Sequence, residues 1–164
     1  MGRQDRLIST SSGQTRSTSL GQAPVATGIP VAHLPLVWRD LWPLIEPAYR
    51  RSREKEDLLS GLAVRRLQLW AIYQGSVPIA AVVTRLNRHL EPRDYLDCRI
   101  WLVGGRDLAR WLGDFLEKLI PWARTEGCAC LSGSGRKGWV RIAQQLGCVP
   151  DGKEGDATVW RLDI

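Results

Sequence analysis

With 164 residues and 44% apolar content the chain can bury one sizeable core, and its formal charge of +6 gives an affinity for anions without naming one. No apolar run approaches a membrane span, and the basic opening MGRQDRLISTSSG lacks the apolar centre of a secretory signal. Gly2 fits an N-acylation pattern only in part, because Arg6 stands where Ser or Thr is required. The expectation is one soluble, cytoplasmic domain with no membrane partner.

Residues 1–30 differ in composition from the rest. Ser9-Thr10-Ser11-Ser12-Gly13 runs on to Ser19 without periodicity and with almost nothing to bury, so it cannot offset its own ordering entropy. A polar tail is expected over 1–30, disordered or ordered only against a partner chain, with the folded domain at 31–164. There, Trp38, Leu41, Trp42 and Ile45 fall at helical spacing, and Pro43 and Pro47 limit how regular that helix can be. Residues 54–66 read as a second helix with Leu58, Leu59 and Leu62 on one face. Residues 67–74 and 79–86 alternate about Gly75-Ser76-Val77-Pro78, the pattern of an antiparallel hairpin, and 87–94 is a polar connection.

Residues 95–103 are β-branched and aromatic, and Gly104-Gly105 ends the run. Strict alternation puts Tyr95, Asp97, Arg99 and Trp101 on one face and Leu96, Cys98, Ile100 and Leu102 on the other. Asp107 stands where an N-cap belongs. Beyond it Leu108, Trp111, Leu112, Phe115, Leu116, Leu119 and Ile120 recur at steps of three and four, one apolar stripe on a helix. Gly127 closes that helix. A short strand at 128–132, a helix at 137–146, an extended Cys148-Val149-Pro150 leading to a glycine turn at 151–156, and a closing strand at 157–162 follow. The order is α-α-β-β-β-α-β-α-β-β, and the two strands flanking the long helix are expected adjacent and parallel.

Several site chemistries fall away. Cys128-x-Cys130 has the wrong spacing for a zinc knuckle and the histidines are His33 and His89, so buried reduced thiols are expected and no metal site. Arg50, Arg51, Arg53 and Lys55 alternate with Glu54, Glu56 and Asp57, a mixed-sign solvated face that argues against a nucleic-acid groove. The 133–138 loop lacks the P-loop pattern, and Ser132 and Ser134 have no neighbouring His or nucleophile-elbow sequence.

The element order, together with Leu67-Gln68-Leu69-Trp70, Ala80-Ala81-Val82-Val83-Thr84, Val103-Gly104-Gly105, Trp122-Ala123-Arg124, Gly127-Cys128 and Gly135-Arg136-x-Gly138-Trp139, resembles the GNAT acetyltransferase superfamily over residues 37–164. The closer resemblance is to small GNAT-like proteins of tailed phages and prophages. It implies an α/β fold: a mixed, mainly antiparallel sheet whose two central parallel strands splay apart, with helices on both faces. It also implies acetyl-CoA as cofactor and an amine, small molecule or protein, as substrate. The matching pyrophosphate turn is Val103, Gly104, Gly105, Arg106, Asp107 and Leu108, shorter than the family's Arg/Gln-x-x-Gly-x-Gly/Ala. Glycines there admit a close anion, and a helix N-terminus attracts it. Ser134 and Arg136 would contact the cofactor from the loop that opens the last helix.

Amine acetylation calls for a base, and Asp97 is the candidate; its same-face neighbour Arg99 makes a plain Asp97–Arg99 pair the competing reading. The tyrosine acid that many GNAT enzymes carry on the final helix has no counterpart between Arg136 and Leu146. The alternative function is therefore a catalytically inactive GNAT-fold phage virion, assembly or host-interaction protein. In that reading the N-terminal tail docks on phage structural proteins, and the chain resides in the host cytoplasm or the virion.

Overall fold

The computed structural model describes residues 21–164. Seven strands form one sheet: β1 (Val25–Gly28), β2 (Leu67–Gln74), β3 (Val77–His89), β4 (Tyr95–Gly105), β5 (Cys128–Gly135), β6 (Val149–Glu154) and β7 (Ala157–Asp163), in spatial order β1-β2-β3-β4-β5-β7-β6. Every neighbouring pair is antiparallel except β4 and β5, which run parallel from Leu96↔Cys128 to Ile100↔Gly133. The helices are α1 (Leu34–Arg51), α2 (Leu58–Ala63), α3 (Leu108–Thr125) and α4 (Lys137–Gln145). The expected mixed sheet with its parallel centre is present.

Each face of the sheet carries its own core. On one, the α3 stripe sets Trp111, Phe115 and Leu119 against Trp70, Ile72, Val82 and Cys98. On the other, Leu41 and Ile45 of α1 and Leu58 and Leu62 of α2 cover Leu69, Ala71, Val83 and Leu102. Fully burying one such side chain is worth about 1.5–3 kcal/mol, enough to hold α1 as a single helix across Pro43 and Pro47. A smaller cluster of Ala143, Cys148 and Trp160 seats α4 at the far end.

Four expectations are corrected. The expected tail over 1–30 ends earlier: Val25–Gly28 is a strand paired with β2, while residues 1–20 lie outside those described. Asp114 of α3 accepts the Ala26 N–H at 2.7 Å, and Lys118 donates to the Ala26 carbonyl at 2.8 Å, so β1 is held from both sides. The 54–66 helix shrinks to Leu58–Ala63, because Asp57 accepts the Ser60 N–H at 3.1 Å and starts it late. Glu54 and Glu56 instead pair with Arg85 and Arg66. Strand β3 runs into the expected connection, with Asn87, Arg88 and His89 pairing Asp97, Leu96 and Tyr95. Finally, alternation along β4 breaks at a bulge: Thr84 faces Ile100 and Val83 faces Leu102, leaving Trp101 as the extra residue. Leu102 therefore turns to the α1 core, away from Cys98 and Ile100.

Candidate functional site

Beyond Ile100 and Gly133 the central strands part. β4 continues along β3 to Gly105, and β5 continues along β7 to Gly135. Between them opens a cleft of about 890 Å³. Its walls come from the end of α1 (Ala48, Arg51), the following loop (Ser52, Arg53, Glu54), β4 around its bulge, the start of α4 and the β6–β7 turn. The Trp101 indole donates to Ser52 Oγ at 3.2 Å, tying the bulge to the α1 exit. Of the expected cofactor residues, Val103, Ser134 and Arg136 line the cleft, whereas Gly104, Gly105, Arg106, Asp107 and Leu108 do not.

The glycine turn is committed to packing. A Cβ on Gly104 would lie 1.7 Å from the Leu44 carbonyl oxygen, so α1 rests directly on the β4 backbone. Gly105 has φ of 111°, and a Cβ there would sit 2.4 Å from Ala80 Cα. The Arg106 N–H donates to the Ile79 carbonyl at 3.1 Å, extending the β3–β4 ladder. Asp107 takes a left-handed conformation (φ 59°) and its carboxylate makes no cap, which corrects the expected role. That carboxylate faces Arg106 at 3.8 Å and Arg110 at 4.0 Å.

Asp97, the expected base, is 4% exposed and lies outside the cleft lining. Ser132 Oγ donates to its Oδ2 at 2.6 Å, the Cys130 thiol approaches Oδ1 at 3.7 Å, and His89 Nε2 stands 3.7 Å from Oδ2. The Asp97–Arg99 pair is not formed. Arg99 reaches instead toward β6, to Glu154 at 2.5 Å and Ser134 at 3.1 Å, because the cleft side offers it an acceptor. Burial, and then the Asp97 carboxylate, push the Cys130 thiol up to about 12.

Three lining groups escaped the sequence reading. Trp160 is 8% exposed, and its indole N–H is buried without an acceptor among the described residues. Its ring fits because Gly133, directly across the β5–β7 ladder, has no side chain; a Cβ there would be 2.3 Å from the ring. Arg53 lays its guanidinium on the β6–β7 turn, where a Cβ on Gly155 would come within 2.5 Å of Nη1. Asp156, next in that turn, also faces the cleft. Nothing in local periodicity reports these partners, which lie far apart in the chain.

No protein-family model matches the chain, and no curated protein is similar to it in sequence. Solved structures are similar in fold. An acetyltransferase of the GNAT family from Streptococcus pneumoniae superposes with a TM-score of 0.55 at 14% identity, over 86% of this chain and 99% of that one. An N-acetyltransferase from Thermoplasma acidophilum, solved in complex with coenzyme A, gives 0.55 at 10% identity over 87% and 100%. FeeM, an N-acyl amino acid synthase from uncultured soil microbes, gives 0.63 at 10% identity over 88% and 92%. The fold of the chain is the GNAT fold.

Proposed function

We propose that the chain is a GNAT-type N-acyltransferase that takes its acyl donor in the cleft between β4 and β5. The observation that carries this reading is the parting of the two parallel strands after Ile100 and Gly133, which opens the cleft beside a bulged strand. The cleft fits the acyl end of acetyl-CoA: an orphaned indole N–H at Trp160 seeks an oxygen acceptor, and Ser134 and Arg136 add further donors. At the turn Gly104–Asp107 the Arg106 N–H is already spent in the ladder and the glycines are packed against Leu44 and Ala80, so this reading does not rest on a pyrophosphate there. Arg136, at the start of α4, is the cation that would meet phosphate instead.

Bound there, acetyl-CoA would supply an acetyl group as a thioester: the N–C bond to an amine forms, the C–S bond breaks, and the sulfur leaves as the thiolate. Trp160 would orient the carbonyl oxygen through its N–H. Asp156 is a lining carboxylate with no cation partner among the described residues, and in this reading it accepts the proton that the amine gives up. Asp97 holds Ser132 in place beneath the cleft. The test is thermal melting with millimolar acetyl-CoA. At a hundred times its dissociation constant the donor adds about 2.7 kcal/mol of stability. Arg136→Glu should erase that rise, while the new carboxylate at a helix N-terminus leaves the fold intact. An unchanged melting temperature in the wild type would remove the reading.

The packed turn at Gly104–Gly105 favours a second reading without catalysis, a GNAT-fold phage or prophage protein docking through its N-terminal tail. It predicts co-purification with assembled particles and no response to acetyl-CoA.

A further inference from the structure

We propose that the α1 side of the cleft takes an amine that also carries a carboxylate, an amino-acid-like acceptor, with Arg51 and Arg53 as the carboxylate site and Asp156 against the amino group. The proposal rests on the acyltransferase reading above. Four arginines line the cleft, at 51, 53, 99 and 136. Arg99 is taken up by Glu154, and the lining carboxylate of Glu54 is turned to Arg85. Among the described residues this leaves Arg51, Arg53 and Arg136 without an ion pair, against the single unpaired carboxylate of Asp156. An acceptor bearing only positive charge would meet three uncompensated cations; a zwitterion meets both signs.

The two arginines on the α1 side stand on a fixed stretch of backbone. They flank Ser52, whose N–H donates to the Ala48 carbonyl at 3.0 Å and whose hydroxyl takes the Trp101 N–H. Arg53 is further seated on Gly155, so its guanidinium spans from the α1 exit to the turn that carries Asp156. Planar guanidinium groups match a carboxylate in two parallel hydrogen bonds, which an ammonium cannot reproduce.

Isothermal titration of the full chain with N-acetyl-L-leucine and with the uncharged N-acetyl-L-leucinamide separates charge from shape. The acid is expected to bind at least about tenfold tighter, the scale of one charge-assisted pair. Arg51→Ala and Arg53→Ala should each bring the acid toward the affinity of the amide, and Arg53→Lys should recover only part. Gly155→Ala displaces the guanidinium while keeping every charge; it should weaken the acid and leave the amide unchanged, with folding checked by circular dichroism. Equal binding of acid and amide, binding of neither, or a preference that survives both arginine-to-alanine variants overturns the proposal. Acetyl-CoA titrated alongside keeps the two claims apart. Donor binding without acid preference removes the carboxylate site alone, and acid preference without donor binding upholds that site while removing the transfer reading.

Discussion

Gly104 and Gly105 sit side by side, yet only the second needs its glycine for backbone conformation. Gly104 is required by space, with the Leu44 carbonyl where a methyl would go. Gly104→Ala is therefore expected to cost about 3 kcal/mol, a fall in melting temperature of roughly 6–12 °C. A variant melting within about 2 °C of wild type would mean that α1 does not rest on this strand. The cysteines make a second residue-scale prediction. A hydrogen bond with Cys128, followed by burial, raises the Cys98 thiol pKa well above its ordinary value; burial does the same for Cys130 and Cys148. Cys128 is lowered by its hydrogen bond from Cys98 but is 6% exposed. An aromatic disulfide reagent at neutral pH should leave the native thiols almost untouched and titrate all four after denaturation. Rapid modification of the native chain would contradict this packing.

At the scale of elements, β1 depends on α3. Burial pushes the Asp114 carboxyl up, but the Ala26 amide and the Lys118 ammonium outweigh it and hold the pKa below the usual carboxylate range. A depressed carboxyl contributes stability above its unfolded value, about 4, and that contribution fades as pH falls through the folded value. Asp114→Ala should accordingly raise amide exchange at Ala26 at neutral pH, and in wild type the protection should fade only below about pH 4. Unchanged protection in the variant would show that the β2 ladder alone secures the strand. The legibility of the sequence divides along the same line. The α3 stripe and the β2–β3 alternation were readable because one segment carries the whole pattern. Strand β1 was not, since its four residues pair with a distant strand and Ala26 takes its other partners 88 and 92 positions away. The bulge at Trp101 was hidden for a similar reason: its extra residue is defined only by the register of β3. In the site, Ser134 and Arg136 were legible as cations and donors opening a helix. For Asp97 both a base and a partner of Arg99 were open, because spacing along one strand says nothing of Ser132 across the ladder.

For the whole molecule, the two packed faces leave polar chemistry to the line where β4 and β5 part. Trp160→Phe tests whether that line binds a ligand. It removes an N–H that has no partner among the described residues, so the cost to folding should be limited to the lost ring volume, about 1 kcal/mol. Acetyl-CoA affinity should fall about five- to tenfold with the lost donor. An unchanged affinity would take Trp160 out of the site. The edges of the sheet carry a different consequence. At one edge Asp114 and Lys118 occupy the outward N–H and carbonyl of Ala26, while at the other edge β6 is exposed along its whole length, blunted by Pro150 and its charged neighbours. Both edges are poor templates for a further strand, β1 by its four residues and the contacts on Ala26, β6 by Pro150 and its charges. Growth of the sheet into a fibre, one copy's edge on the next, is therefore disfavoured at either end.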